Sequence, residues 1–540
     1  MRTWRQRLCA GGLALVLAAC AGPVAMAAGS YIDVPEGHWA APYVEQAAQY
    51  HLMEGMGDGT FGMGQTLTRG QFAAALRKFF QWELVSPEEG HFSDVDPGQW
   101  YYPEVETALA HGVLTDEGDR FRPEEPITRQ EMAELLVKAL GFGELAEWAD
   151  SLECPFSDVT EGKGYISLAF DFGMVNGTGD GRFNPGGTAT REEVAAILVR
   201  VYQRYSSRLE WLHGFYAVRS YEQLGLTADM DGVSLGWATL RTDETGAPVV
   251  TTHRVDYDTW YQPEDSHLVT DYLEEQGVPG NLAIIGTDTA AFSTPEARAA
   301  AASAIAAAAE GYAGVTMDIE GLKADSREAY TALMTQLRQI LPEEQTLYVC
   351  VQPDTWFDGF DYRALGELCD KVILMAHDFD WAVPEYYVGT DRTENPGAPL
   401  TKVYDSLRDI TDPETGVQDR SKIALAISVD SVGMAVDEAG LLTGTTVYHP
   451  APSTVIQRLR QEDTTGGYSA LYGTSYIYYH DEEGSRYRLW YEDALSARAK
   501  ISLARMFGIN GISLWRLGNI PNYEDEGLNY DMWSAILAER

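Results

Sequence analysis

The chain has 540 residues, which is long for one ordinary domain, so several domains are expected. Its 81 Asp and Glu residues against 39 Lys and Arg give a net charge of −42, and such a chain repels nucleic acid and anionic lipid. The charge therefore argues against both of these partner classes.

The first residues, MRTWRQRLCAGGLALVLAACAGPVAMAAG, predict an export signal over residues 1–29. Arginines precede an apolar run that is too short to span a bilayer, and small residues follow it. AMA at 25–27 suits ordinary cleavage, which we favour, whereas LAAC resembles a lipoprotein box that would place a lipid on Cys20. No later segment predicts a membrane span, so we expect an exported protein.

The cysteines do not form a disulfide framework in spite of export. Cys154, Cys350 and Cys369 are expected to be small buried hydrophobic residues. The sequence has no His/Cys cluster, phosphate-binding loop or dinucleotide fingerprint, so no metal and no organic cofactor are predicted.

A pattern occurs three times and predicts helical repeats over residues 30–89, 90–152 and 153–206. Each repeat starts with YIDV or FSDV, continues as an amphipathic helix, and reaches a Gly/Asp turn that carries a Phe. A second helix then begins with Thr-Arg, and the threonines Thr68, Thr128 and Thr190 occupy its expected N-cap position.

In combination, these motifs resemble S-layer homology repeats, a resemblance that implies non-covalent anchoring to a secondary cell-wall polysaccharide, often one with acidic pyruvyl groups. An Arg at a helix N-terminus suits an anion, although it could instead pack or pair within its own repeat. Gly164 stands in repeat three where the others have Trp, so not every site need be occupied. The candidate anchoring residues are Asp33, Trp39, Arg69, Asp94, Trp100, Arg129, Asp158 and Arg191.

Over residues 207–540, eight short apolar runs alternate with helical patterns. Continuous apolar runs are typical of buried parallel strands, and eight such units predict a (β/α)8 TIM barrel; an open doubly wound sheet is the alternative. The Tyr-rich segment at 430–510 predicts a small α+β insertion between strands 7 and 8, either a wall over the groove or an ordinary edge hairpin. The predicted fold class is thus multidomain, with all-α repeats followed by an α/β barrel.

Acids, amides and aromatic residues follow the predicted strands, where a barrel places its active groups. Asp318 and Glu320, in GVTMDIE, are two residues apart and therefore share one face of a strand. Together these residues indicate a carbohydrate site, although any single one could be a structural polar cap. The other candidates, taken as substrate-binding, are Tyr216, Trp237, Gln352, His377, Asp378 and Trp515.

This part of the chain resembles family-18 glycoside hydrolases of the bacterial cell-wall and spore-germination lysin type. AGVTMDIE aligns with their D-x-x-D-x-D-x-E strand, LMAHD with their M-x-Y-D segment, and GISLWRLG with their eighth strand. The resemblance implies Glu320 as general acid/base, Asp318 as the partner of the substrate's acetamide, and Trp515 as the floor of the central sugar subsite. Ala313 and Thr316 replace two acids of the family pattern, and His377 replaces its Tyr.

The sequence therefore predicts a wall-anchored hydrolase at the surface of a bacterium. It would cleave after N-acetylglucosamine, in peptidoglycan or another N-acetylglucosamine-containing glycan, by substrate-assisted retention. The alternatives are a chitinase for external chitin, a barrel that binds amino-sugar polymers without cutting them, and a structural spacer.

Overall fold

A computed structural model describes residues 31–115, 118–217, 220–255, 259–524 and 527–540. The predicted export signal, with Cys20, lies outside these residues. Within them, no helix combines the length and apolar character that crossing a bilayer requires.

The N-terminal part of the described chain is helical. Its helices are Ala41–Gln49 (α1), Arg69–Phe80 (α2), Tyr102–Ala110 (α3), Arg129–Ala139 (α4), Gly143–Ala149 (α5), Lys163–Asp171 (α6) and Arg191–Tyr205 (α7). As predicted, α2, α4 and α7 begin directly after Thr68, Thr128 and Thr190. The Thr68 and Thr128 hydroxyls each accept a hydrogen bond from a backbone N–H of the first helical turn, which would otherwise be unpaired.

The three repeats close into a ring through their Thr-Arg segments. Short β-bridges join Thr68 to Pro126, Thr128 to Thr188, and Thr66 to Thr190. The first repeat therefore pairs with the second, the second with the third, and the third with the first.

The rest of the chain folds as a barrel with an insertion. The barrel strands, with one short antiparallel extension (β3), are Trp211–Tyr216 (β1), Gly232–Thr242 (β2), Pro248–Thr251 (β3), Gly280–Gly286 (β4), Gly314–Ile319 (β5), Thr346–Val351 (β6), Lys371–Leu374 (β7), Ile423–Ser428 (β8) and Gly511–Trp515 (β14). The helices after β1 are His267–Gln276 (α8), Pro295–Ala308 (α9), Arg327–Ile340 (α10), Tyr362–Leu368 (α11), Leu400–Ile410 (α12), Pro452–Leu459 (α13), Ala494–Met506 (α14) and Met532–Leu537 (α15).

Parallel pairing runs around the whole barrel. The strand order is β1-β14-β8-β7-β6-β5-β4-β2, and β1 also pairs with β2, so the sheet is closed. This confirms the predicted TIM barrel and rules out the open doubly wound sheet. The carboxyl ends of all eight strands consequently meet at one rim.

The insertion between the seventh and eighth barrel strands is a separate antiparallel sheet, also as predicted. Its strands are Val432–Val436 (β9), Leu442–Tyr448 (β10), Thr465–Ser469 (β11), Thr474–His480 (β12) and Arg486–Tyr491 (β13). They pair in the order β10-β9-β13-β12-β11, and α13 connects β10 to β11.

Apolar side chains fill the barrel interior together with one series of hydrogen-bonded polar side chains. The imidazole of His213 lies 2.8 Å from the hydroxyls of both Ser513 and Ser234, and the Ser234 hydroxyl lies 2.6 Å from that of Thr316. Burial lowers the pKa of His213 to about 3, so this ring is neutral and each nitrogen has a partner. This series connects β14, β1, β2 and β5 below the rim.

The third repeat packs against the barrel helices. Nε of Arg408, on α12, lies 2.9 Å from the Asp171 carboxylate at the end of α6, and Tyr404 donates a hydrogen bond to the same carboxylate. The rings of Phe172 and Phe507 meet edge to face at 5.5 Å. A buried aromatic contact combined with an ion pair joins the repeats to the barrel at this side.

Candidate active site

Asp318 and Glu320 lie together at the carboxyl end of β5. Asp318 is on the interior face of the strand and is 1% exposed, whereas Glu320 follows the strand and is half-buried at the rim. The Oδ1 atom of Asp318 has no hydrogen-bond partner among the described residues. A buried carboxylate oxygen without a partner is unfavourable, and it leaves an acceptor free for a ligand.

Burial and charge hold a proton on this pair near neutral pH. Burial, followed by the neighbouring charge of Glu320, raises the pKa of Asp318 to about 7. Burial and the charge of Asp378 raise the pKa of Glu320 as well. Two close carboxyl groups that cannot both ionise share a proton, as acid–base catalysis near pH 7 requires.

Gln352, after β6, supports the loop that carries Glu320. Its Oε1 accepts a hydrogen bond of 2.6 Å from the backbone N–H of Gly321, the residue after Glu320. Its backbone carbonyl accepts another of 2.7 Å from the Tyr362 hydroxyl. Gln352 was predicted to bind substrate, and here its side-chain oxygen is already engaged in fixing Gly321.

His377 and Asp378 follow β7 and face the acidic pair. His377 is 9% exposed, and its Nδ1 lies 3.1 Å from Oδ2 of Asp378, although neither ring nitrogen has hydrogen-bond geometry to a described residue. A positive charge on His377 would lower the pKa of both Asp318 and Glu320. Its two ring nitrogens leave a hydrogen-bond donor for a ligand at the rim. Asp378 has a positive φ of 58°, and its side chain is 62% exposed.

Trp515 forms an aromatic surface at the rim, at the end of β14. It is half-buried and packs edge to face on Phe215 in the barrel interior at 5.2 Å. Trp260 lies beside it, with ring centroids 5.9 Å apart. Sequence reasoning missed Trp260, because it lies in the irregular segment after β3 rather than at a strand end; its only signal is the local cluster TWYQ.

Tyr216 and Trp237 are not brought to this site. They are 2% and 0% exposed, and their rings contact each other at 6.0 Å within the core between the barrel and its helices. Both rings belong to the large core cluster that includes the barrel helices, and not to the smaller cluster around Phe215 in the barrel interior. The prediction that these two rings bind substrate is therefore corrected: both pack in the core.

The insertion and the loop after β7 enclose a cavity of about 520 Å³ next to the rim. Trp381, only three residues beyond Asp378, lines it together with Tyr386, Tyr387 and Tyr472. The insertion contributes Tyr472 to this cavity, and its position as a wall over the groove stays a prediction.

The repeats hold a second candidate site at each junction of the ring. Each Thr-Arg arginine reaches into the next repeat and stacks on the Phe of its turn: Arg69 on Phe121, Arg129 on Phe183, and Arg191 on Phe61, at 4.7, 4.7 and 5.0 Å. Arg69 also pairs with Glu131, whereas Arg129 and Arg191 have no carboxylate partner among the described residues. Arg129 is half-exposed and Arg191 is buried.

The predicted anchoring Asp and Trp residues differ in their availability. Asp33, Asp94 and Asp158 accept backbone N–H groups of the Phe turn in their own repeats, at 2.7 to 2.9 Å. These carboxylates are thus occupied in shaping the turn. Trp39 and Trp100 are 54% and 55% exposed, and so are free to contact a ligand.

Comparison with known proteins agrees with this arrangement. Residues 282–519 match the model for glycosyl hydrolases family 18, and residues 30–73, 91–133 and 155–195 match the S-layer homology domain. The cortical fragment-lytic enzyme of Bacillus subtilis (strain 168) is 27% identical over 217 residues, which are 38% of this chain and 47% of that protein. Exoglucanase XynX of Acetivibrio thermocellus is 33% identical over 174 residues, which are 31% of this chain and 16% of that protein.

Among solved structures, the Bacillus cereus spore cortex-lytic enzyme SleL covers 61% of this chain and 74% of its own, with 16% identity and a TM-score of 0.48. The chain spans less than half the length of the two curated relatives. The matched segments agree with the closed barrel and its acidic pair. The chain therefore carries three S-layer homology repeats followed by a domain of glycosyl hydrolase family 18.

Proposed function

We propose that this protein is a glycoside hydrolase held at the bacterial cell wall, where it cleaves β-1,4 linkages after N-acetylglucosamine, in peptidoglycan above all. The observation that carries the proposal is the buried Asp318, with a free oxygen beside the half-buried Glu320 at the barrel rim. The raised pKa of both groups supports an acid–base role.

One carboxyl pair is sufficient if the substrate supplies its own nucleophile, as family 18 does. The acetamido oxygen of the sugar attacks the anomeric carbon while Glu320 protonates the leaving glycosidic oxygen. The free Oδ1 of Asp318 accepts the acetamide N–H and stabilises the cyclic cation that forms. Glu320 then takes a proton from water, which opens the ring with retained configuration.

The remaining residues at the rim hold the sugar in this mechanism. Trp515 and Trp260 offer ring faces to the pyranose, and His377 donates to the acetamide carbonyl in the place of the family's Tyr.

A barrel that binds glycans without cutting them is the second candidate. The observation that favours it is Thr316, which stands where the family pattern has an acid and whose hydroxyl lies 2.6 Å from that of Ser234. The two candidates differ in turnover and not in binding.

The test is incubation of the mature chain with peptidoglycan and, separately, with N-acetylglucosamine oligomers. Soluble products and new reducing ends are followed by mass spectrometry. We expect fragments that end in N-acetylglucosamine from peptidoglycan. Products from the oligomers alone would assign a chitinase, and binding without products from either would assign a binding barrel.

We infer that the repeats bind a secondary cell-wall polysaccharide, mainly at the junction that holds Arg129. Arg129→Ala should weaken binding to purified wall polysaccharide by about tenfold, because a charge-assisted hydrogen bond is lost. Arg69→Ala should have a smaller effect, since Glu131 already neutralises Arg69. Co-sedimentation with wall fragments measures both variants, and an equal loss in the two would contradict the assignment.

We also expect Gln352 to act on turnover through the Glu320 loop. Gln352→Ala should lower kcat by about tenfold with little change in KM, because Gly321 loses a hydrogen bond near the acid. Gln345→Ala is the matched control: Gln345 precedes the same strand and bonds the carbonyls of Ala309 and Tyr312 at its other end. Steady-state kinetics of both variants should show the kcat effect only for Gln352.

A further inference from the structure

A basic cavity of about 320 Å³ lies where the third repeat meets the barrel, away from both candidate sites. Arg200 and Arg204 of α7 line it from the repeat side, and Arg505 of α14 lines it from the barrel side. Such a cluster is unexpected in a chain with a net charge of −42, in which carboxylates outnumber cations about two to one.

Arg200 and Arg204, together with Arg420 close to Arg204, are not neutralised by carboxylates of the described residues. Arg200 and Arg204 are one helical turn apart on α7, a spacing at which like charges repel. Burial and the charges of Arg420 and Arg200 lower the pKa of Arg204 to about 10. Arg505 pairs with Glu539, but Arg200, Arg204 and Arg420 form no ion pair with a carboxylate of the described residues.

Backbone carbonyls satisfy part of this cluster. Arg204 donates to the carbonyls of Phe172 and Met506, at the ends of α6 and α14. Arg200 donates through Nε to the Ala196 carbonyl and through Nη2 to the Met174 carbonyl, both at 3.2 Å, and Arg420 donates to the Phe507 carbonyl at 2.6 Å.

Two helix C-termini carry about half a negative charge each, so they offset roughly one of the three unpaired guanidinium charges. About two positive charges therefore remain on Arg200, Arg204 and Arg420, of which Arg200 and Arg204 line the cavity. Arg505, which lines the cavity, is 7% exposed, and its buried Nε atom has no hydrogen-bond partner among the described residues.

We propose that this cavity binds a phosphate group that bridges the third repeat and the barrel. Guanidinium groups present planar pairs of N–H donors that match phosphate oxygens, and a dianion balances the charge left over here. Because Arg200 and Arg204 belong to the repeat and Arg505 to the barrel, the bound anion ties α7 to α14. The proposal is independent of glycan hydrolysis.

Inorganic phosphate is the first probe, applied to the mature full-length chain at constant ionic strength set with NaCl. Phosphate should raise the thermal midpoint of the wild type, and titration calorimetry should give a dissociation constant about tenfold weaker in Arg200→Gln. Arg200→Lys keeps the charge without the planar donor pair and should bind with intermediate affinity.

Arg182→Gln is the matched control, because Arg182 lies in the same repeat, has a 65% exposed side chain and is not part of the cavity. It should bind phosphate like the wild type. An equal stabilisation of all the variants would reflect general screening of the acidic chain and would overturn the proposal, as would the absence of any stabilisation.

The source of the phosphate is decided by a second probe, a short poly(glycerol phosphate). Binding of this phosphodiester that depends on Arg200 assigns the cavity to an anionic wall polymer. Binding of inorganic phosphate alone, with the same dependence on Arg200, assigns it to the free ion.

Discussion

Replacing Glu320 with Gln should lower kcat on peptidoglycan by about 10²–10⁴-fold and leave KM nearly unchanged. The amide keeps the shape and the hydrogen-bonding reach of the side chain but can neither give a proton to the leaving oxygen nor take one from water. Release of reducing ends over time measures the change, with bound glycan quantified in the same samples.

Glu310→Gln is the control for this variant, because Glu310 is an exposed carboxylate just before β5, at the opposite end of the strand from Glu320. It should retain full activity. If Glu320→Gln kept more than a tenth of the wild-type rate, Glu320 would not be the acid, and the proposed mechanism would be wrong.

Replacing Asp318 with Asn should have opposite effects on activity and on stability. Turnover should fall by about 10²–10³-fold, because the charge that stabilises the cyclic cation is lost. The free energy of unfolding at pH 8 should nevertheless rise by roughly 2–4 kcal/mol, because the variant no longer buries a carboxylate that ionises with difficulty.

The pH dependence gives the sign of this second effect. The folded-state pKa of Asp318 is about 7 and its ordinary value is 3.8, so the folded protein holds a proton that the unfolded chain has released. The stabilising contribution is therefore complete below about pH 4 and is lost as the pH rises through about 7. Thermal unfolding of wild type and Asp318→Asn should give similar midpoints at pH 4 and diverge at pH 8. Equal midpoints at pH 8 would mean that the carboxylate is not buried as described.

Much of the barrel and its acidic pair could be predicted from the chain alone. Asp318 and Glu320 are two residues apart on one strand, and that spacing fixes a shared face whatever the rest of the fold does. For Trp237 the same reasoning failed, because a strand that is apolar on both faces does not show which face is inside, and a shift by one residue reverses the answer. The small and polar residues Ser234 and Gly236 on β2 were the available signal for the inner face.

Contacts between distant segments were outside the reach of sequence patterns. Trp260 meets Trp515 only after the barrel closes, and the approach of Arg204 to the end of α14 joins residues 302 positions apart. The Thr-Arg motif predicted an anion-binding residue in each repeat, but not that each arginine stacks on the Phe of the following repeat, because nothing in one repeat describes its neighbour.

A ring of three repeats cannot be shortened by one. Arg191 and Phe61 meet only because the third repeat returns to the first, and deletion of any repeat would break two of the three junctions and leave buried phenylalanines exposed. Gene duplication and loss in such an anchor should therefore act on whole triplets. The smallest unit that can be inherited as a working anchor is the ring of three repeats. A single repeat transplanted to another protein should not fold into a competent anchor.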